Sequence, residues 1–358
     1  MHPRCGVTFF ALLGCTGGSE ERTRRDMDVG LAEAGGVTFD VRDGLAVVHA
    51  APHALELWAG APTFVMQARA AGDAVADWTI DVNNAMVATE LSVTPATTVT
   101  AHATERATHK RYRVVLEPNQ TYQLAFSTPD AADRAPYRFA LLSDVQEAID
   151  RVQDIFDAID AEPGLSFLLG AGDLSDRGTR EELERFQLEL ESLSIPYYTT
   201  LGNHDAPSDS GWHDLYGRVN FRFVFRGVQF TLVDTAGATI DPAVYDWLAE
   251  WLDEGREGVH VVAMHIPPLD PVGVRNGAFG SRNEAGKVLA MLSEANVDLS
   301  LYGHIHSFYQ FDNAGIPAFI SGGGGALPER LDGIERHFMV FEVGADSGVL
   351  MSRKIEVD

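Results

Sequence analysis

Short apolar runs alternate with helix-like patterns through the second two-thirds of the chain. Five runs have the length and the β-branched or aromatic content of buried strands, with turn residues after each: 138–142, 165–170, 196–201, 259–263 and 297–302. Apolar residues recur every three or four positions in four other segments, which predicts helices at 146–159, 181–193, 246–252 and 283–292. Runs 221–225 and 228–233 flank Arg226-Gly227 and predict a hairpin. Strands alternating with helices indicate a layered α/β domain.

Residues 36–136 show a different pattern, with few helical repeats and many short alternating runs. These runs are 37–41, 45–49, 78–82, 97–102, 112–116 and 121–128. Regular short strands between turn signals predict a small antiparallel β-sandwich ahead of the α/β domain.

Residue types that bind metals follow each of the five α/β-domain strand runs. They are Asp144 and Gln146, then Asp173 and Asp176, then Asn203, His204 and Asp205, then His265, and finally His304 and His306. If the runs are parallel strands of one sheet, all these side chains meet at its carboxyl edge. Mixed oxygen and imidazole donors favour Mn, Fe or Zn over Ca or Mg. The set is too large for one ion, because a pair that shares a carboxylate uses about eight ligands.

In this order, the blocks D-x-Q, G-D-x-x-D-R-G, G-N-H-D, M-H and G-H-x-H resemble the calcineurin-like metallophosphoesterases. The resemblance covers about residues 137–342. It implies that residues 137–358 form a four-layer α/β/β/α sandwich that hydrolyses phosphate esters with two divalent or trivalent metal ions. A hydroxide bridging the two ions would attack phosphorus in line, without a phosphoenzyme intermediate.

The same resemblance implies a role for each residue that matches the family pattern. Asp173 bridges both metals, and the other ligands are Asp144 and His306 for the first site and Asn203, His265 and His304 for the second. His204 protonates the leaving oxygen, Asp205 orients the His204 ring, and Arg177 clamps two phosphoryl oxygens. Asp176 is expected to fix the loop or hold a histidine rather than to bind metal.

Gln146 departs from the family pattern, which has D-x-H in the first block. A carboxamide oxygen is a poorer donor than imidazole, so the first metal site is expected to be weaker. In one interpretation Gln146 binds a metal through its oxygen, or holds a metal-bound water, and the site prefers Mn. In the other the protein is a catalytically degenerate binding or scaffold protein. Because every other ligand and the acid are present, the active enzyme is favoured.

The amino terminus resembles a bacterial lipoprotein signal. Arg4 precedes the apolar stretch 7–13, which runs into Leu12-Leu13-Gly14-Cys15-Thr16. The prediction is a signal peptide at 1–14, a lipidated Cys15, and a flexible tether at 15–35. Thr16 does not resemble the inner-membrane retention signal, which favours the outer membrane and its periplasmic face. Cys5 and Cys15 are the two cysteines of the whole chain, so the mature protein would hold no thiol or disulfide. An ordinary cytosolic start is the alternative.

Residues 115–122 resemble a fibronectin type III or purple-acid-phosphatase amino-terminal module, in which Tyr122 would anchor a strand corner. The predicted sandwich is then either a spacer above the membrane or a module that binds glycan or protein, as in an envelope adhesin.

Charge limits the partners. A net charge of −25 disfavours nucleic-acid polymers. The expected substrate is a small phosphate ester or a phosphoprotein, and Arg177-Gly178 slightly favours a monoester.

Three further features are open to a functional or a structural interpretation. His213, beside Trp212, either lines the substrate entrance or lies in a solvated loop. His260 begins a buried strand and is expected to be structural. Residues 322–325 are four glycines, which form either the rim of the metal site or a flexible turn.

Overall fold

The computed structural model describes residues 17–41, 44–207, 210–273, 277–329 and 334–357. The predicted signal peptide and the lipidation site at Cys15 lie outside these ranges. Within them, no helix has both the length and the apolar composition needed to cross a membrane.

The amino-terminal part is a sandwich of two five-stranded sheets. Its strands are β1 Leu31–Ala34, β2 Val37–Val41, β3 Ala46–Ala51, β4 Ala54–Trp58, β5 Phe64–Ala70, β6 Asp77–Asn83, β7 Glu90–Thr94, β8 Val99–His102, β9 Lys110–Val115 and β10 Thr121–Ser127. The sheet orders are β1-β2-β5-β10-β7 and β3-β4-β6-β9-β8. The inward-facing residues of both sheets form one core around Phe39, Trp78 and Phe126.

All six runs predicted for the sandwich are strands, but β1, β4, β5 and β7 escaped prediction. β7 alternates polar and apolar residues from Glu90 to Thr94, but the run is short and its apolar residues are only partly buried. The purely antiparallel expectation was also wrong, because β4 pairs with β6 in parallel. The strand corner is present: the amide of Glu117 donates to the Tyr122 hydroxyl at 3.1 Å.

The remaining strands form two more sheets. They are β11 Tyr137–Leu142, β12 Leu165–Gly170, β13 Tyr197–Thr199, β14 Phe221–Phe225, β15 Val228–Val233, β16 Val259–Met264, β17 Leu299–Tyr302, β18 Phe308–Asn313, β19 Ile316–Ser321, β20 His337–Gly344 and β21 Gly348–Glu356. The sheet orders are β13-β12-β11-β20-β21 and β14-β15-β16-β17-β19-β18.

The helices lie on the outer faces of these two sheets. The chain forms α1 Gly17–Asp26, a 3-10 helix Gln146–Arg151, α2 Gln153–Ala161, α3 Arg180–Leu190, α4 Trp212–Leu215, α5 Val244–Gly255 and α6 Arg282–Glu294. Residues of α2 and α3 pack with the first sheet, and residues of α5 and α6 pack with the second.

An aromatic core joins the two sheets face to face. The Phe139 ring of the first sheet meets Phe230 of the second edge-on at 5.2 Å between centroids, and Phe341 meets Phe319 edge-on at 5.3 Å. With the helices outside, the layers are α/β/β/α, and the predicted fold class is confirmed.

The five ligand-bearing strands do not lie in one sheet. β11, β12 and β13 are parallel neighbours in the first sheet, whereas β16 and β17 are parallel neighbours in the second. The single-sheet expectation was therefore wrong. A strand's own sequence does not say which sheet it joins, and the hairpin β14–β15 starts the second sheet between the third and fourth ligand blocks.

The segment predicted as a flexible tether is ordered from residue 17 onward. α1 packs on the α/β domain through Arg22, whose Nε and Nη2 donate to the Asp234 carboxylate at 2.7 and 3.2 Å. The buried Asp26 carboxylate accepts the amides of Val219 and Asn220 at 2.9 and 3.0 Å. The tether prediction is wrong for this stretch, because its polar residues pair inside the protein rather than with water.

His213 neither lines an entrance nor lies in a solvated loop. Its ring is buried in α4, and Nε2 lies 3.1 Å from Asp26 Oδ1 and 3.1 Å from the carbonyl of Arg22. Both interpretations of His213 were wrong, because its partner is a distant amino-terminal residue. His260 is structural as expected, since it is buried and 2.8 Å from Thr231 Oγ1.

Replacing Arg22 by alanine is expected to lower the free energy of unfolding by about 3 kcal/mol, because it leaves the buried Asp234 carboxylate without its cation. Arg25→Ala is the matched control, since Arg25 pairs with Asp214 at 3.5 Å at the exposed surface. It should cost less than about 1 kcal/mol. Denaturant unfolding measures both, and equal losses would show that α1 is not held by the Arg22 pair.

Candidate dinuclear metal centre

Asp144, Asp173, His265, His304 and His306 come together at the carboxyl ends of the parallel strands of both sheets. Asp144, Asp173 and His306 form one cluster, and Asp173, His265 and His304 form another, with the ligand atoms of each cluster within 4.8 Å of one another. Asp173 belongs to both clusters. One carboxylate shared by two donor sets is the arrangement of a two-metal centre.

Backbone strain is concentrated at the donors. Asp144, Gln146, Asp173 and His304 have φ values of 63°, 48°, 57° and 69°. A non-glycine residue held in the left-handed region costs of order 1–3 kcal/mol, and such residues cluster at functional sites. Close packing imposes this geometry. A Cβ at Gly303 would lie 2.0 Å from Ser143 Oγ, so the chain before His304 approaches the Asp144 loop as only glycine permits.

The two buried histidines of the donor clusters, His265 and His306, turn the nitrogen that a metal needs toward the cluster. His265 Nδ1 lies 2.7 Å from the carbonyl of Ala171, and His306 Nδ1 lies 2.7 Å from that of Leu327. Because a carbonyl only accepts, each Nδ1 carries a proton, and each Nε2 faces the cluster and can bind a metal once it is unprotonated. The donor chemistry therefore fits a bound metal. Sequence reasoning missed these orienting carbonyls, since a main-chain carbonyl has no sequence signal.

The second donor set is completed by Asn203, whose Oδ1 lies 3.0 Å from His265 Nε2. Asp173 Oδ2 lies 3.2 Å from the same nitrogen. Burial acts to lower the pKa of His265, but the charge and hydrogen bond of Asp173 raise it to about 9. Burial acts to raise the pKa of Asp173, but His265 and His204 hold it well below its usual range. Asp173 and His265 therefore share a proton, and a bound metal cation would displace that proton.

Gln146 lies inside the first donor set. Its Nε2 donates to Asp173 Oδ2 at 2.8 Å and lies 3.2 Å from His306 Nε2. The side chain thus occupies the place of the family's histidine, with its amide nitrogen toward the other donors. Binding a metal through Oε1 would require the carboxamide to turn over.

Gln146→His is expected to tighten binding at the first metal site by roughly tenfold or more, because imidazole is a better donor to these metals than a carboxamide. Histidine also tolerates a positive φ. Gln153→His, on the neighbouring α2, is the control and should change nothing. Titration of the metal-free protein with Mn and Zn gives the two affinities. An unchanged first-site affinity would contradict the placement of Gln146.

His204 lies next to the centre without belonging to either donor cluster. Its Nδ1 lies 2.5 Å from the carbonyl of Asp176, and its side chain is 36% exposed. Nδ1 therefore donates to that carbonyl, and Nε2 is left to exchange a proton with a substrate. The expectation that Asp176 holds a histidine agrees with this contact.

Asp205 does not orient His204. Its buried carboxylate accepts the amides of Leu174, Ser175 and Gly202 at 3.1, 2.9 and 3.0 Å. Burial and the neighbouring Asp173 raise the pKa of Asp205 to about 6. The predicted catalytic role is wrong. Asp205 ties the loop after β12 to the loop after β13, because both present unpaired amides to it.

Arg177 is not brought together with the donors in the described part of the chain. Its side chain is 75% exposed, and Nε pairs with Glu182 Oε1 at 3.2 Å. Glu182 and Thr179 form the capping box that begins α3, and Glu182 also accepts the Arg177 amide at 3.0 Å. The predicted phosphate clamp is wrong for this arrangement. The T-x-x-E spacing that signals the cap was available in the sequence.

The four glycines at 322–325 pass along the rim of the metal site, as one of the two interpretations required. The amide of Gly324 donates to the Ser143 carbonyl at 2.9 Å, directly before Asp144. A Cβ at Gly324 would lie 2.5 Å from that oxygen, so a side chain there would displace the Asp144 loop.

Comparison with known proteins agrees with this site. Residues 137–308 match the calcineurin-like phosphoesterase family. The two clusters around Asp173 could hold the metal ions of a two-metal centre.

Two relatives define how far the similarity extends. The chain is 31% identical over 160 residues to a 3′,5′-cyclic-nucleotide phosphodiesterase of Nostoc sp., a match that covers 41% of this chain and 58% of the relative. It therefore spans little more than half of that protein's length. A purple acid phosphatase, PPD1, from yellow lupin seeds shares the fold, with a TM-score of 0.51, 12% identity, and coverage of 82% of this chain and 72% of its own.

Proposed function

We propose that this phosphoesterase hydrolyses small phosphodiesters, with monoesters as the second substrate class. The main support for this proposal is that the two clusters of metal-binding side chains share Asp173. A metal pair bound there supplies the nucleophile and neutralises charge on the phosphoryl oxygens. The chain itself orients those metals through His265 and His306, and His204 Nε2 is placed to protonate the departing oxygen.

Two observations support placing diesters first. The monoester prediction depended on an Arg177 clamp, but Glu182 engages that guanidinium away from the donors. The Nostoc relative is a cyclic-nucleotide phosphodiesterase, which makes 3′,5′-cyclic nucleotides the first candidates. A net charge of −25 still disfavours polymeric nucleic acid.

The direct test is a panel of mono- and diesters, assayed with Mn, Zn, Fe and Mg in turn. We expect hydrolysis with Mn, Zn or Fe, and a higher kcat/KM for diesters than for monoesters of the same alcohol. Monoesters as the better substrates would reverse the order of the two classes. Metal-loaded protein that hydrolyses none of them would leave only the binding or scaffold role.

We also propose that the protein is exported and lipid-anchored at Cys15. The support is the basic start, the short apolar stretch and the Gly14-Cys15 pair. Because α1 begins two residues after Cys15 and packs on the α/β domain, an anchor there would hold the domain close to the membrane surface.

Expressed at full length in a Gram-negative bacterium, the protein is expected in the outer-membrane fraction, labelled by radioactive palmitate. Cys15→Ser should abolish both labelling and membrane association, because the thiol is the acceptor of the lipid. Cys5→Ser is the matched control and should change neither. Unlabelled wild-type protein in the cytosolic fraction would refute the anchor.

A further inference from the structure

One side chain of the β-sandwich completes the free edge of the catalytic sheet. β13 is the outermost strand of its sheet, and Tyr197 faces Leu168 of β12 on its inner side. On the outer side, the Tyr197 amide donates to Asn84 Oδ1 at 2.8 Å, and Asn84 Nδ2 donates to the Tyr197 carbonyl at 2.7 Å. The edge groups of a strand normally pair with water or another strand. Here a single carboxamide satisfies both.

Asn84 is itself held firmly in the sandwich. It is 5% exposed and has a φ of 57°, directly after β6. Its Nδ2 also donates to the carbonyl of Ala59 at 2.7 Å, and the next amide, that of Ala85, donates to the Thr108 carbonyl at 2.8 Å. The carboxamide therefore has one orientation, because its donor and acceptor ends both have fixed partners.

β13 leads directly into the third ligand block. Thr200 Oγ1 donates to the Val219 carbonyl at 2.8 Å, and the Gly202 amide donates to Asp205 at 3.0 Å. The His204 amide then donates to Asp173 Oδ1 at 2.8 Å. Tyr197, Thr200, Gly202 and His204 are each tied to a neighbour, so a shift of β13 would be transmitted to Asn203 and His204.

We propose that Asn84 is a positioning residue for the phosphoesterase reaction, and that the β-sandwich seats the loop carrying Asn203 and His204 instead of serving only as a spacer. This rests on the proposed function for its catalytic readout. A misplacement of about 1 Å costs as much as 10²-fold in rate, so the hydrogen bonds of one distant side chain are enough to matter.

Asn84→Gly and Asn84→Ala test the proposal in the full chain. Glycine adopts a φ of 57° without strain, so Asn84→Gly removes the hydrogen bonds while sparing the backbone. Asn119→Gly and Asn119→Ala are matched controls, because Asn119 has a φ of 61° in the same sandwich but is exposed. The readouts are kcat for a leaving-group series, metal content and the thermal midpoint.

We expect the Asn84 variants to lose about 10- to 100-fold in kcat, most for poor leaving groups because His204 is displaced, and to bind the second metal more weakly because Asn203 is displaced. The Asn119 variants should match the wild type in all three. A lower thermal midpoint with unchanged leaving-group dependence and metal content would overturn the proposal. Failure of both Asn84 variants to fold would assign the residue to stability alone and would also overturn it.

The outcome is separable from that of the proposed function. A wild-type protein that hydrolyses no phosphoester refutes the function, and metal content of the variants still tests Asn84. An active wild type with Asn84 variants that behave like the Asn119 variants refutes the positioning role alone.

Discussion

Asp173→Asn is expected to abolish binding of both metals and to lower kcat at least about 10³-fold. Asp173 is the residue common to both donor clusters, and its side chain is 1% exposed. The neutral amide keeps the size of the side chain and tolerates a φ of 57°. It lacks the charge that offsets two cations, and Lewis-acid stabilisation of the transition state is worth several kcal/mol.

Metal content by elemental analysis and kcat on a diester measure this effect. Asp176→Asn is the control, because Asp176 lies on the same loop with its side chain 45% exposed and touches His204 chiefly through its main-chain carbonyl. It should retain both metals. An Asp173→Asn protein that folds and still holds two ions would show that Asp173 is not the bridge.

His204→Ala is expected to keep both metals and to slow the hydrolysis of poor leaving groups by about 10²- to 10⁴-fold. The main-chain amide of residue 204 still donates to Asp173 in the variant, so the loop is preserved. The imidazole is lost as proton donor, and an alkoxide needs that proton far more than a nitrophenolate does. The dependence of log kcat on leaving-group pKa should therefore become steeper.

His102→Ala, on an exposed edge strand of the sandwich, is the control and should leave this dependence unchanged. His306→Ala should instead lose metal, because His306 belongs to the first donor cluster. Equal slowing of every ester by His204→Ala would contradict the acid role.

Part of the site was predictable because ligands follow strands. The apolar runs 165–170 and 259–263 ended within a residue of β12 and β16, and Asp173 and His265 come directly after them. The capping box formed by Thr179 and Glu182 could also have been predicted from the sequence. It would have indicated that Glu182, at the start of α3, pairs with Arg177. The roles of Asp205 and His213 were not readable, since each is set by amides or a carboxylate distant in the chain.

The sequence by itself predicted strands β11 to β17, helices α2, α3, α5 and α6, the order of the ligand blocks and a donor set too large for one ion, because these depend on local periodicity and residue type. Strands β18 to β21 and helix α4 were not predicted. Only the tertiary structure decided that the ligand strands divide between two sheets, that α1 packs against the α/β domain, and that Asn84 completes the edge of β13. These features are pairings between distant backbone and polar groups, and no local pattern encodes which distant partner a polar group will find.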